Sequence, residues 1–279
     1  MARIRVITDS ACDIPDEYAR RLNIDVVSLN IRFGDEEFTD RVDLSPAQFW
    51  ERCKGIKTLP ETSAPAPGAF QAAYQRAKDE GYDGVIVVTI SSLLSGTNQS
   101  AVLGAEALHD SFAIRVVDSK SASMAQGLIV IDIAELAATG AELDALVARV
   151  DELSTKVGVV AMLDTLDHLI KGGRVGGARA LIGQVLSIKP LIELKDGVVA
   201  EAGRQRTRAK ALVAISEVAK SHAPLRRLAL VHGASSEVRN LEALVKDIQV
   251  EFPLIIADMG PTVGTHGGPG IIGLAWVEA

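Results

Sequence analysis

The sequence predicts an α/β protein of two α/β lobes. The N-terminal lobe, residues 1–156, is expected to hold a mainly parallel sheet flanked by helices, and residues 157–279 a smaller α/β lobe. Three observations lead there. Short apolar runs recur along the 279-residue chain. Longer segments with apolar residues at helical spacing separate many of them, an alternation that favours parallel strands covered by helices. The length suits roughly two average domains with a substantial core, and with 48% apolar but only 4% aromatic residues that core is largely aliphatic.

Taken in order, Ile4–Ile7 and Val26–Ile31 read as the first buried strands. Glu61–Gly68, rich in Pro, Ala, Thr and Ser, reads as a loop. Helix Ala69–Glu80, strand Val85–Ile90 and strand Ile114–Val117 follow, then helices Ala122–Thr139 and Glu142–Ser154. Near Lys156 a polar helix end meets the apolar strand Val157–Met162, which places the lobe boundary there. Beyond the glycine-rich stretch Gly172–Gly183 come helix Arg208–Ser221, strand Leu228–Val231, helix Ser236–Phe252 and strands Leu254–Ile256 and Ile271–Val277. No internal repeat or low-complexity linker interrupts the series.

The net charge of −7 argues against general nucleic-acid binding, which needs a basic surface. Cys12 and Cys53 have no metal-ligand or CxxC spacing and fit a reducing compartment. The first residues, Met1-Ala2-Arg3-Ile4-Arg5, lack the apolar run of a signal peptide. No stretch approaches the roughly 20 apolar residues of a membrane span. The expectation is a cytoplasmic protein, not an integral membrane protein, with room for transient contact with a membrane surface. No His/Cys/carboxylate spacing calls for a metal or cofactor.

In open α/β sheets, ligands bind beyond the carboxyl ends of strands. Thr8-Asp9-Ser10, Ser91-Ser92-Leu93-Leu94-Ser95-Gly96-Thr97, Asp118-Ser119 and Asp164-Thr165 all follow predicted strands. Taken singly, each Ser, Thr or Asp is more readily a helix cap. The second cluster says more. Ser95-Gly96-Thr97 stands at a strand-to-helix turn, where unpaired N–H groups and the helix dipole suit a carboxylate or phosphate. Gly96 lets a ligand approach the backbone, and the Thr62-Ser63 loop can add hydroxyls.

Near the C-terminus, His266 sits among Gly264, Gly267, Gly268 and Gly270, a backbone suited to close ligand approach, and can donate a hydrogen bond to an anion. Gly268-Pro269-Gly270-Ile271-Ile272-Gly273 matches GxGxxG, but only six residues follow, so no βαβ unit exists to make it a dinucleotide site. Arg204, Arg206 and Arg208 alternate along a strand running into a helix start. That pattern fits a solvated face, or a docking surface for an acidic partner or an anionic ligand. Lys171-Gly172-Gly173-Arg174 is a second basic element, placed near the mouth of the site.

Together these clusters resemble the DegV family, fatty-acid-binding proteins that serve bacterial fatty acid kinase. The residues that carry the likeness are Thr8-Asp9-Ser10, Thr62-Ser63-Ala64-Pro65, Ser91 through Ala101, Val117-Asp118-Ser119, Leu163-Asp164-Thr165-Leu166 with Lys171-Gly172-Gly173-Arg174, Ile188-Lys189-Pro190, and Gly264-Thr265-His266 with Gly268-Pro269-Gly270. The likeness spans essentially the whole chain. Ala64-Pro65-Ala66, Asn98 and Gly267 depart from the family's usual residues. The resemblance implies a buried long-chain fatty acid, no other cofactor, and delivery to a fatty acid kinase partner that makes acyl phosphate. It implies a carboxylate held by Thr62, Ser63, Ser95, Gly96, Thr97 and His266. Thr8, Asp9, Ser10, Ser92, Arg174 and Thr265 stand as secondary candidates, and Arg204, Arg206 and Arg208 as candidate docking residues. The carrier performs no chemistry in this reading. The alternative is an acyl hydrolase or transferase with Ser95 as nucleophile and His266 as base, oriented by Asp9 or Asp118.

Overall fold

The computed structural model describes residues 2–56, 58–108, 110–181 and 188–279; the last two positions of the glycine-rich stretch fall outside them. The described strands are β1 (Ile4–Asp9), β2 (Ile24–Val27), β3 (Asn30–Phe33), β4 (Glu36–Thr39), β5 (Glu61–Ser63), β6 (Gly84–Thr89), β7 (Ala113–Asp118), β8 (Val157–Met162), β9 (Lys189–Lys195), β10 (Val198–Gln205), β11 (Leu225–His232), β12 (Ile255–Asp258) and β13 (Ile272–Glu278). The α-helices are α1 (Asp16–Arg21), α2 (Pro46–Arg52), α3 (Pro67–Asp79), α4 (Thr97–Ala105), α5 (Ser123–Ala138), α6 (Leu143–Lys156), α7 (Asp167–Lys171), α8 (Arg208–Ser221), α9 (Val238–Val245) and α10 (Pro261–Gly267).

The first sheet is parallel, in the order β2-β1-β6-β7. Its central strands β1 and β6 are buried along their whole length, as strands covered on both faces are. Successive side chains go to opposite sides. Ile7, Val85 and Val87 pack with Phe70, Ala73 and Tyr74 of α3, while Val6, Ile86 and Val88 join the core around α5.

Helix α5 is the keel of the molecule. Its run from Met124 to Ala134 is buried on every side, which marks a helix enclosed by protein. It touches β1 and β6 on one flank and β8, β11 and β13 on the other. Asp132 interrupts this apolar helix and is 4% exposed. It accepts hydrogen bonds from Arg149 Nε at 3.0 Å and Arg226 Nε at 2.6 Å. Burial alone would raise the Asp132 pKa, but these two guanidinium groups hold it below the ordinary carboxylate value. The pair ties α5 to α6 and to β11 of the second sheet.

The second sheet runs β10-β9-β8-β13-β11-β12 and is antiparallel except for the β11–β12 pair. The chain enters it where α6 ends at Lys156 and β8 begins at Val157. Val160, Met162, Leu230 and Leu274 face Leu212 and Ile215 of α8 and Leu241 of α9. Ala161, Val231 and Ala275 face the core shared with α5.

Several local expectations are corrected. Val26–Ile31 is not one strand: the chain changes sheets there, with the Leu29 N–H taken by the Ser10 hydroxyl at 3.0 Å. Glu61–Ser63 is not loop but β5, the edge of a small antiparallel sheet in the order β4-β3-β5. Three residues are too few to show an alternating pattern. The β9–β10 hairpin was not expected either. Its turn is Asp196-Gly197, both at positive φ (51° and 82°), the residue pair favoured in two-residue hairpin turns.

Candidate functional site

An apolar cavity, partly open to solvent, lies between the carboxyl end of the first sheet and one face of the second. Alternation in the strands builds its apolar wall. Val159 and Ala161 of β8, and Ile192 and Leu194 of β9, are each two residues apart and line it together. Leu29, Ile90 and Leu94 close it from the first lobe, and Val263 of α10 from the second.

Polar groups interrupt this aliphatic wall. Pairing of β5 with β3 sets Ile31 opposite Thr62 and aims the Thr62 side chain inward. The Thr62 hydroxyl lies 3.0 Å from His266 Nε2. The Ser95 hydroxyl lies 2.8 Å from Thr97 Oγ1, just before α4. Arg174 donates from Nε to the Leu94 carbonyl at 3.1 Å and from Nη1 to the Gly172 carbonyl at 2.6 Å, which fixes its guanidinium beside the patch. Thr62, Ser95, Gly96, Arg174 and His266 all line the cavity.

His266 is neutral at ordinary pH. Burial, and then the positive charge of Arg174, push its pKa down to about 4. Its Nδ1 is buried with no hydrogen-bond partner. Gly172 explains the fit: a Cβ there would lie 2.2 Å from Nδ1. The imidazole is thus held against bare backbone, with Nε2 turned toward Thr62.

The remaining expected residues separate from this patch. Ser63 follows Thr62 in β5, so alternation turns it outward, and it is exposed. Thr97 is buried and contacts Ser95 rather than the cavity. Ser92 is exposed and donates to Asp118 at 2.6 Å. Thr8 donates to the Val88 carbonyl at 2.8 Å. Asp9 accepts from the backbone of Ile90 at 2.8 Å and of Ala11 at 3.0 Å. Thr265 bonds its own helix, at Pro261, and lines an outer crevice instead of the cavity. Thr8, Asp9 and Ser10 therefore hold the loops together at the sheet edge. Of the three arginines, Arg204 and Arg206 are exposed. Arg208 is committed internally, to Asp164 at 2.7 Å and Glu237 at 2.6 Å, and is not part of a free surface.

Of the glycines around His266, Gly267 lines the cavity, whereas Gly264 serves a protein contact. A Cβ on Gly264 would meet Trp50 at 2.7 Å, so its bareness lets α10 sit against α2. Sequence reasoning also passed over Ser123 and Thr262, hydroxyls in the cavity wall. Ser123 donates to Asp13 at 2.5 Å and Thr262 to Asp40 at 2.5 Å. Burial raises both carboxyl pKa values, that of Asp13 to about 7. Nothing in the sequence separates these hydroxyls from helix caps. The acyl-transfer arrangement is not assembled: His266 Nε2 meets Thr62 rather than Ser95, and neither Asp9 nor Asp118 is hydrogen-bonded to His266. Among the described residues no group of three or more His, Cys, Asp or Glu could hold a metal ion, and no helix is long and apolar enough to cross a membrane.

The family model described as "Uncharacterised protein, DegV family" matches residues 3–279. The chain belongs to the DegV family. A DegV domain-containing protein of Listeria innocua is 34% identical over 280 residues, covering 98% of each chain. The solved structure of a fatty-acid-binding DegV family protein from Thermus thermophilus is 31% identical, covers 99% of this chain and 100% of its own, and superimposes with a TM-score of 0.89. DegV of Bacillus subtilis, solved as a fatty acid binding protein, is 30% identical with full coverage of both chains and a TM-score of 0.85. This DegV-family chain therefore shares the two-lobe α/β architecture of structures in which fatty acid binding was found.

Proposed function

We propose that this protein is a non-catalytic carrier. It holds one long-chain fatty acid in the aliphatic cavity and presents the carboxylate to a fatty acid kinase. The observation that carries the reading is a largely aliphatic cavity whose wall holds the neutral groups Thr62, Ser95 and His266 and one fixed guanidinium, Arg174. In functional terms the lobe of residues 1–156 supplies Thr62 and Ser95, and that of residues 157–279 supplies Arg174 and His266.

The energetics are sufficient. Burying about 15 methylenes gains on the order of 12 kcal/mol at ~0.8 kcal/mol each, offset in large part by lost chain freedom and association. Neutral hydroxyl donors orient the carboxylate while leaving it nucleophilic. In the kinase step a carboxylate oxygen bonds to the terminal phosphorus of a nucleoside triphosphate. The bond from that phosphorus to the bridging oxygen breaks, and the nucleoside diphosphate leaves with the electron pair. Arg204 and Arg206, exposed on and just beyond β10, form the docking face for an acidic surface of the kinase.

Native mass spectrometry of the purified protein, with solvent extraction of any released lipid, tests the carrier. One bound mass equal to a fatty acid is expected. A protein that stays empty after incubation with a range of fatty acids overturns the reading. Reversing charge at Arg204 and Arg206 together is expected to abolish kinase-dependent phosphorylation while leaving fatty acid affinity unchanged.

A further inference from the structure

Helix α10 belongs to the second lobe by sequence but packs on the first. It touches β3, β5, α2 and the short turn Ser10–Cys12. Two buried carboxyl groups of the first lobe fasten its start. Asp13 accepts the Gly260 N–H at 2.8 Å, and Asp40 accepts the Thr262 hydroxyl at 2.5 Å. A Cβ on Gly260 would lie 3.1 Å from Asp13 Oδ1 and 3.8 Å from Asp40 Oδ1, so both acids close around one bare Cα. Neither acid is among the residues lining the cavity. We propose that Asp40, with Asp13, is a positioning residue for the fatty acid carboxylate: it fixes the rotation of α10 and so the place of the His266 imidazole. The inference rests on the carrier reading and deepens it.

Helical geometry carries the effect. Thr262 and His266 stand one turn apart on the same face of α10, and both line the cavity. A rotation that moves one therefore moves the other. A hydroxyl held on a carboxylate at this separation is a charge-assisted bond, stronger than a neutral one, so it fixes the Thr262 side chain firmly. Trp50 Nε1, donating to the Met259 carbonyl at 3.0 Å, ties the approach to α10 to the same lobe. Asp40 is fully buried, a costly place for a carboxyl group without partners. That burial raises its pKa, and the Thr262 hydroxyl and the charge of Arg41 oppose the rise. The two acids also draw wall hydroxyls away from the acyl chain, Thr262 toward Asp40 and Ser123 toward Asp13. The imidazole at the far end of the helix keeps its contact with Thr62 as long as this hold persists.

The test compares palmitate with hexadecanol, a chain of the same length without a carboxylate. Binding of both is measured on the intact delipidated protein, on Asp40→Ala and on Asp40→Asn, which keeps a carbonyl oxygen to accept from Thr262. Asp40→Ala should weaken palmitate roughly tenfold, as the charge-assisted contact to His266 lengthens, and leave hexadecanol within about twofold. Asp40→Asn should keep most of the wild-type preference for the acid. The Cε1–H resonance of His266 reads the ring's place directly: it should move in Asp40→Ala and lie near its wild-type position in Asp40→Asn. Thr262→Val removes the same bond from the other side without opening a cavity, and takes the place of Asp40→Ala if that variant does not fold. Unchanged palmitate affinity, an unmoved resonance, or an equal loss of both ligands overturns the positioning role and leaves the carrier standing. A wild-type protein that binds no palmitate removes the carrier reading itself, and this role with it.

Discussion

Gly172→Ala isolates the geometry of His266 with the least chemical change. Gly172 has φ −74° and ψ −9°, so alanine adopts its backbone without strain. The new methyl group would lie 2.2 Å from His266 Nδ1 and 2.8 Å from Cε1. To regain ordinary van der Waals separation the imidazole must retreat by roughly 1.2 Å. The 3.0 Å contact between its Nε2 and the Thr62 hydroxyl does not survive a shift of that size. A hydrogen bond to a charged group contributes about 1.5–3 kcal/mol, so palmitate affinity should fall roughly 10- to 100-fold. Fold stability in urea should fall by about 1–3 kcal/mol, the usual cost of crowding a buried side chain. Titration calorimetry reads the affinity, and a double-mutant cycle with His266→Ala assigns the cause. In the His266→Ala background Gly172→Ala should have little further effect. Wild-type affinity in Gly172→Ala, or a loss that persists at full size without the imidazole, would refute the argument.

Other consequences follow from the buried acids. Burial raises the Asp13 carboxyl from its ordinary 3.8 to about 7, so the folded state binds a proton that the unfolded chain has released. Its stabilisation is complete below about pH 4 and is lost as pH rises through 7, a contribution on the order of a few kcal/mol. Asp13→Asn should flatten that decline in urea denaturation series between pH 5 and 8; an unchanged slope would assign the pH dependence elsewhere. Asp132→Ala leaves Arg149 and Arg226 without their shared carboxylate and should destabilise the protein by about 3–5 kcal/mol. Equilibrium urea unfolding checks this, and a loss below 1 kcal/mol would mean that the guanidinium groups find water or other acids instead.

Much of the fold was legible because the parallel lobe writes itself in apolar runs. β1 and β6 are covered on both faces and so appear as uninterrupted aliphatic stretches. The edge elements do not. β5 has three residues, and β10 carries Glu201, Arg204 and Gln205 because part of it faces solvent. The hairpin that contains β10 was still marked by Asp196-Gly197, a turn signal with a physical basis that apolar periodicity overlooks.

The site divides along the same line. Thr62, Ser95 and His266 were legible as hydroxyls and an imidazole standing next to strand ends and glycines. Their grouping depends on contacts distant in sequence: Thr62 meets His266 across 204 positions, and Arg174 meets Leu94 across 80. Glycine was the ambiguous signal. The glycines beside His266 suggested room for a ligand, yet Gly264 makes room for Trp50. The glycine that governs the histidine is Gly172, in a different segment. A bare Cα tells that something approaches closely; only the fold tells whether that something is a ligand, a helix or the catching side chain itself. Here it is the side chain, which is why a substitution at Gly172, far from His266 in sequence, is the sharper probe of the site.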